Sequence, residues 1–201
     1  MVKTLYLIRH GHTAGGDEKR YKGSIDVPLS EKGVEQIKKT SMFLKDVSLS
    51  AVYCSPLSRA LKSAEIIAEP YGLRPVAVPD LRERSFGIWE GMSFNEIKDR
   101  YPEEFEAWAK NPLKYSPIKG ESTIEVRDRV MVAIESILSN HDNEKIAIVA
   151  HGGVNRIILC HFMGVPLENI FRIEQDYAAV NIIEFHDGYP AVRLINGVFY
   201  G

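Results

Sequence analysis

Cysteine is nearly missing from this chain, with only Cys54 and Cys160 among 201 residues. Each sits in or beside an apolar run, so the pair reads as two small buried hydrophobes rather than a disulfide framework. An excess of charge of one sign is missing as well: 25 Lys and Arg face 27 Asp and Glu, a formal net charge of -2. That excludes a global attraction to nucleic acid or to an anionic membrane surface, and any anion recognition must be local. No apolar run approaches the roughly 20 residues that crossing a bilayer requires. The opening "MVKTLYLIRHG" carries one Lys and an apolar stretch too short for a signal peptide. The expectation is a cytoplasmic protein with neither a membrane nor a nucleic-acid partner. Internal repeats and low-complexity tracts are also lacking.

What is present suits an ordinary globular protein, 45% hydrophobic and 26% charged. The length is ample for one core, and we expect a single domain over 1–201. Apolar runs rich in β-branched residues and bounded by turn signals predict strands at 4–8, 51–54, 75–78 and 146–150. A late pair at 179–186 and 190–195 is joined through Asp187-Gly188, a hairpin signal. Its outer edge could receive a second copy of the chain, which makes a homodimer the expected form of any self-association.

Helical patterns lie between these strands. "SEKGVEQIKKTSMFL" has Ser30 as an N-cap and apolar residues at Val34, Ile37, Met42 and Phe43. "SRALKSAEIIAEPYG" places Leu61, Ala64, Ile67 and Ala68 on one face before Pro70 ends it. "STIEVRDRVMVAIESILSN" opens with Ser122 and, three residues on, Glu125, a capping box. Strands alternating with amphipathic helices predict a three-layer α/β/α sandwich with a mostly parallel sheet. The segment at about 92–121 breaks the pattern. Its short helical pieces between Pro102, Pro112 and Pro117 predict a small helical cap insertion above the sheet.

Two apolar runs end in polar chemistry: "TLYLIRHGHT" runs into Arg9 and His10, and "IAIVAHGG" into His151. Ligands of open α/β sheets bind beyond the carboxyl ends of the strands, which is where these residues fall. A glycine after each histidine lets backbone N–H groups approach a ligand, and the helix predicted after His151 would present its N-terminus to an anion. Arg59 follows a third strand in "AVYCSPLSRALKSA", and its fork-shaped guanidinium suits a phosphoryl group. His10 and His12 form an H-x-H spacing, but Arg9 would repel a cation and no carboxylate follows at useful spacing, so no metal site is expected.

At this point the chain resembles the histidine phosphatase superfamily, also called phosphoglycerate mutase-like. The resemblance is carried, in the family's order, by "LIRHGHT", "CSPLSRALKSA", "LRERSFGIWEG", "KGES" and "IVAHGGVNR", together with "RYKGSIDVPLSEKGVEQ". It covers nearly the whole chain and implies the phosphoglycerate mutase-like fold and a reaction without cofactor or metal. His10 would be the nucleophile that takes the phosphoryl group. Arg9, Arg59 and His151 would surround its oxygens, with Thr13 and the Gly152 N–H as further substrate contacts. Glu83 matches the family's proton donor; Glu90 is a nearby carboxylate, so the choice of Glu83 rests on the motif. One departure stands out: where many members have an asparagine three residues after the threonine of "RHGxT", this chain has Gly16. Arg20, further along the loop, is the candidate for the missing contact. His141, His161 and His186 lie outside the motifs and read as surface or packing residues.

The short insertion is similar to that of the phosphatase branch, which includes broad-specificity and α-ribazole phosphatases. The resemblance therefore implies a phosphomonoester hydrolase acting on a small phosphorylated metabolite, α-ribazole 5'-phosphate among the options. Aromatic residues in and before the insertion could line an apolar pocket for a substrate larger than glycerate. A cofactor-dependent phosphoglycerate mutase and a non-catalytic binder of phosphorylated ligands remain open as alternatives.

Overall fold

The computed structural model describes residues 3–17 and 20–200. Strand β1 (Lys3–Arg9) is apolar through its middle and buried from Thr4 to Ile8. It lies between β4 (Lys145–Ala150) and β5 (Val180–His186) in a six-stranded sheet of order β3-β2-β4-β1-β5-β6. Strands β2 (Leu49–Cys54) and β3 (Val76–Ala77) continue the parallel part, whereas β5 and β6 (Tyr189–Gly197) run antiparallel. β3 is shorter than the expected 75–78 because Pro75 and Pro79 flank it and neither can donate to the ladder. The β5–β6 turn is made by Asp187 at φ 50° and Gly188 at φ 84°, the two left-handed residues that match a two-residue hairpin to the strand twist.

Alternation along the strands sorts the core into two layers. Leu5, Leu7, Ile146 and Ile148 face helices α5 (Thr123–Ser139) and α6 (Gly152–Met163). Tyr6, Ile8, Ala147 and Val149 face α1 (Glu31–Leu44) and α2 (Ser58–Ala68). A sheet covered on both faces in this way is the α/β/α sandwich that the element order predicts. Cys54 and Cys160 are buried free thiols, one in each layer. No helix among the described residues is long and apolar enough to cross a membrane.

The caps follow the sequence. Ser30 accepts from the Gly33 N–H, and Ser122 and Glu125 make the reciprocal bonds of a capping box. The apolar face expected for α1 needs correction. Met42 and Phe43 point outward, and Phe43 stacks on Phe199 at 3.5 Å between ring centroids. The buried face is instead Gly33, Gln36, Ile37, Thr40, Ser41 and Leu44. Small and polar side chains serve here because the helix start packs backbone to backbone against the loop after β1: a Cβ on Gly33 would lie 2.0 Å from the His12 carbonyl oxygen.

The segment after β3 builds two short helices, α3 (Phe94–Arg100) and α4 (Pro102–Lys110), with Pro102 at the first position of α4. Aromatic contacts join the two helices to each other and to the chain on either side. Trp89 meets Trp108 at 6.2 Å and Tyr115 at 5.9 Å, and Phe94 meets Phe105 at 4.9 Å.

Candidate active site

The register of β1 and β4 brings the two motif histidines together. Arg9 pairs with Ala150, so His10 and His151 leave adjacent parallel strands at the same height. Their ring centroids are 5.1 Å apart. Both rings are buried, His10 at 5% and His151 at 0% exposure. Ser55, the first residue after β2, donates its backbone N–H to the Val149 carbonyl, and its hydroxyl meets His151 Nε2 at 2.8 Å. Three neighbouring strand ends thus supply one site, at the carboxyl edge of the sheet.

A cleft of about 340 Å³ opens there, walled by Arg9, His10, Thr13, Arg59 and Glu83 among others. His10 Nδ1 meets its own chain at the Gly11 carbonyl, 2.8 Å away. A carbonyl only accepts, so Nδ1 carries the proton and Nε2 keeps its lone pair. Burial, then the charges of Arg9 and Arg59, push the His10 pKa well below the usual imidazole value. Burial does the same to His151, with His10 and the two arginines adding to it. Both rings are therefore neutral at pH 7.

Arg9 lies under Tyr177, its guanidinium carbon 4.0 Å from the ring centroid, and donates Nη1 to the Gln175 carbonyl. Its buried Nε has no hydrogen-bond partner, and neither has the buried Nδ1 of His151. Buried polar atoms are rarely left unpaired, and two of them flank His10. Arg59, 3% exposed in the first turn of α2, gives its terminal nitrogens to the carbonyls of Gly23 and Ile25, both at 2.8 Å. Thus it fixes the loop that forms the far wall.

Glu83 accepts from the Arg84 N–H at 2.9 Å and from the Gly153 N–H at 3.1 Å. The second bond ties it to the first turn of α6. Gly152 begins that helix with the guanidiniums of Arg9 and Arg156 closely packed about it: a Cβ there would lie 3.5 Å from Arg9 Nε and 3.4 Å from Arg156 Nη1. Glu90, by contrast, accepts from Ser24 and from the Phe86 N–H, and so braces the neighbouring loop.

His12 is spent on the scaffold. Its ring nitrogens meet Ser30 Oγ at 2.8 Å and Asp17 Oδ1 at 3.2 Å, and its N–H donates to Gln36. That ring also explains Gly16, since a Cβ at 16 would stand 2.6 Å from His12 Nε2 and 2.8 Å from the Thr13 carbonyl oxygen. An asparagine does not fit. Arg20 borders the cleft but pairs with Glu96 of α3 at 2.7 Å. Lys22 is the cation nearer the centre, donating to Thr13 Oγ1 at 3.2 Å and to the carbonyls of Ala14 and Gly15. Of the outlying histidines, His141 is held by Glu144 and Tyr53, and His161 packs on Phe162.

Sequence reasoning did not single out Lys22, Tyr177 or Arg156 for this cleft. Arg156 closes the motif "IVAHGGVNR" and follows Gly152 by four residues, so the helical spacing that puts two residues on one face was a usable signal. Tyr177 had none: it enters from the far end of the chain, on a turn where Ala178 takes φ 56° and donates to the His10 carbonyl.

The family model of the histidine phosphatase superfamily, branch 1, matches residues 5–197. Phosphoserine phosphatase 1 of Hydrogenobacter thermophilus is 32% identical, over 100% of this chain and 97% of its own length. Among solved structures, Bacillus stearothermophilus YhfR superposes with a TM-score of 0.89 at 34% identity, and the match covers 98% of each chain. The α-ribazole phosphatase from Shigella flexneri gives 0.91 at 28% identity, again over 98% of each.

Proposed function

Because the chain belongs to branch 1 of the histidine phosphatase superfamily and is a phosphatase, we propose that it hydrolyses small phosphomonoesters through a covalent phosphohistidine on His10. The observation that carries this reading is the pair of buried, unpartnered donors beside a neutral nucleophile. Arg9 Nε and His151 Nδ1 lack partners, while His10 Nε2 keeps its lone pair. A phosphoryl group between them would supply the acceptor oxygens that both lack.

In the first step His10 Nε2 attacks phosphorus, a P–N bond forms and the ester P–O bond breaks. Glu83 gives its proton to the departing oxygen, so the alcohol leaves neutral. In the second step Glu83, now a carboxylate, takes a proton from water whose oxygen attacks phosphorus. The P–N bond breaks, orthophosphate leaves, and His10 is neutral again. Phosphoryl transfer depends chiefly on positioning and charge compensation. Arg9, Arg59 and His151 supply these from fixed positions. With Ser55 donating to His151 Nε2, Nδ1 is the N–H that faces the phosphoryl group, and the Gly152 N–H and Thr13 hydroxyl complete the cradle. Lys22, which donates to Thr13 Oγ1, adds a positive charge to the same wall.

The test is turnover of p-nitrophenyl phosphate by the wild type and by His10→Ala, beside an assay for 2-/3-phosphoglycerate interconversion with 2,3-bisphosphoglycerate present. The variant should lose roughly three or more orders of magnitude. Retention of a tenth of the activity would remove His10 as nucleophile. Efficient interconversion with negligible phosphate release would make the protein a mutase.

A further inference from the structure

Beside the phosphate cleft lies a second cavity of about 240 Å³, and the two share Tyr21, Glu83, Phe86 and Arg156 as a common wall. The far wall of the second cavity is carbon: Trp108, Val126, Ile157, Ile170 and Phe171. Two of its polar side chains, Arg84 and Thr123, are already committed. Arg84 spends its three guanidinium nitrogens on the Glu121 carbonyl, the Thr123 hydroxyl and the Tyr115 carbonyl. Thr123 in turn donates to the Pro112 carbonyl. Among the described residues, Glu83 is the single carboxylate in the lining, and its oxygens are tied to two backbone N–H groups. At the rim Phe171 leaves 71% of its surface in water.

From this arrangement we infer that the preferred substrates are phosphate monoesters of alcohols bearing an apolar ring, with the ring seated in this cavity while the ester oxygen faces Glu83. The inference rests on the hydrolase reading, because the alcohol must lie on the Glu83 side of the phosphoryl group to be protonated as it leaves. The volume fits, since a cavity of roughly 150 Å³ already admits benzene. The chemistry fits as well. A ring would cover Phe171 and meet aromatic edges, whereas the ammonium of a small zwitterion such as phosphoserine would find only Glu83, whose oxygens already accept from two backbone N–H groups. A groove that shares Trp108 and Phe171 with the cavity is bordered by Lys110, Lys114 and Glu168, which gives groups attached beyond the ring a polar surface to follow.

A matched pair of esters isolates the ring. Ethyl phosphate and 2-phenylethyl phosphate have similar leaving groups and differ in the phenyl group. The wild type should show kcat/KM at least tenfold higher for the phenylethyl ester, equivalent to about 1.4 kcal/mol, and higher also than for O-phosphoserine. Phe171→Ala and Trp108→Ala should each reduce the ratio between the two esters, mainly through KM for the phenylethyl ester. Phe171 is exposed, so its variant keeps the test valid if Trp108→Ala unsettles the cap. A wild-type ratio near one, or a preference for O-phosphoserine, would overturn the inference and leave the hydrolase intact. Failure of the folded protein to release phosphate from any ester would overturn both.

Discussion

Glu83 and Gly153 are in contact with no space between them. The Gly153 N–H donates to Oε2 at 3.1 Å, and a Cβ added at 153 would stand 2.6 Å from Oε1. The proposed proton donor is thus positioned by a glycine seventy places along the chain, at the start of the helix that follows His151.

Two substitutions follow from this contact. Glu83→Gln should cut kcat for alkyl phosphates by about 10²–10⁴-fold, the usual value of a positioned acid, and should spare p-nitrophenyl phosphate by comparison. Gly153→Ala should reproduce that selectivity at smaller size by displacing the carboxylate, while its thermal midpoint stays close to wild type because alanine is the better helix former. Steady-state kinetics on both ester types checks this; equal losses on both would count against Glu83 as the acid.

The cation in the loop should bear on phosphate affinity. Lys22→Gln should raise KM and weaken inhibition by orthophosphate severalfold, with a smaller change in kcat. Gly16→Asn, which restores the side chain common in the family, should lower activity, because the new Cβ meets His12 Nε2 at 2.6 Å. Inhibition constants for orthophosphate measure the first effect, and kcat/KM the second. An active Gly16→Asn would show that the loop yields easily.

Acid should destabilise the fold through its two buried imidazoles. The pKa values of His10 and His151 lie well below the ordinary value near 6.5. Above about pH 6.5 both folded and unfolded chains hold these rings neutral, so they add no pH dependence. Below it the unfolded chain takes up protons that the folded protein refuses, and stability falls down to the folded pKa. Melting temperatures across pH 7.5 to 5 should therefore drop more steeply for the wild type than for His10→Gln. Parallel curves would contradict the burial argument. The same protonation should give kcat/KM an acidic limb.

Much of this was readable because the signals are local. Ser122 with Glu125, the Asp187-Gly188 turn, and a glycine after each of His10 and His151 report on their own few residues, and each occupies the expected place. Arg9, His10, Arg59 and His151 were found because strand ends in a parallel sheet converge. What escaped depends on distant backbone. Met42 and Phe43 fit a helical stripe, but close packing of Gly33 on the His12 carbonyl turns a different face of α1 inward. Tyr177 reaches Arg9 across 168 residues, and no periodicity reports a contact of that span. The exclusion of a side chain at 16 required knowing where the His12 ring lies.

The central claim is that phosphorus becomes bonded to His10, and trapping tests it most directly. A rapid quench of the enzyme turning over a ³²P-labelled phosphomonoester should give protein-bound label that survives base, is released by acid, maps to the peptide holding His10 and is absent from His10→Ala. Steady release of phosphate with no label on that peptide, under conditions where the second step is rate-limiting, would contradict it.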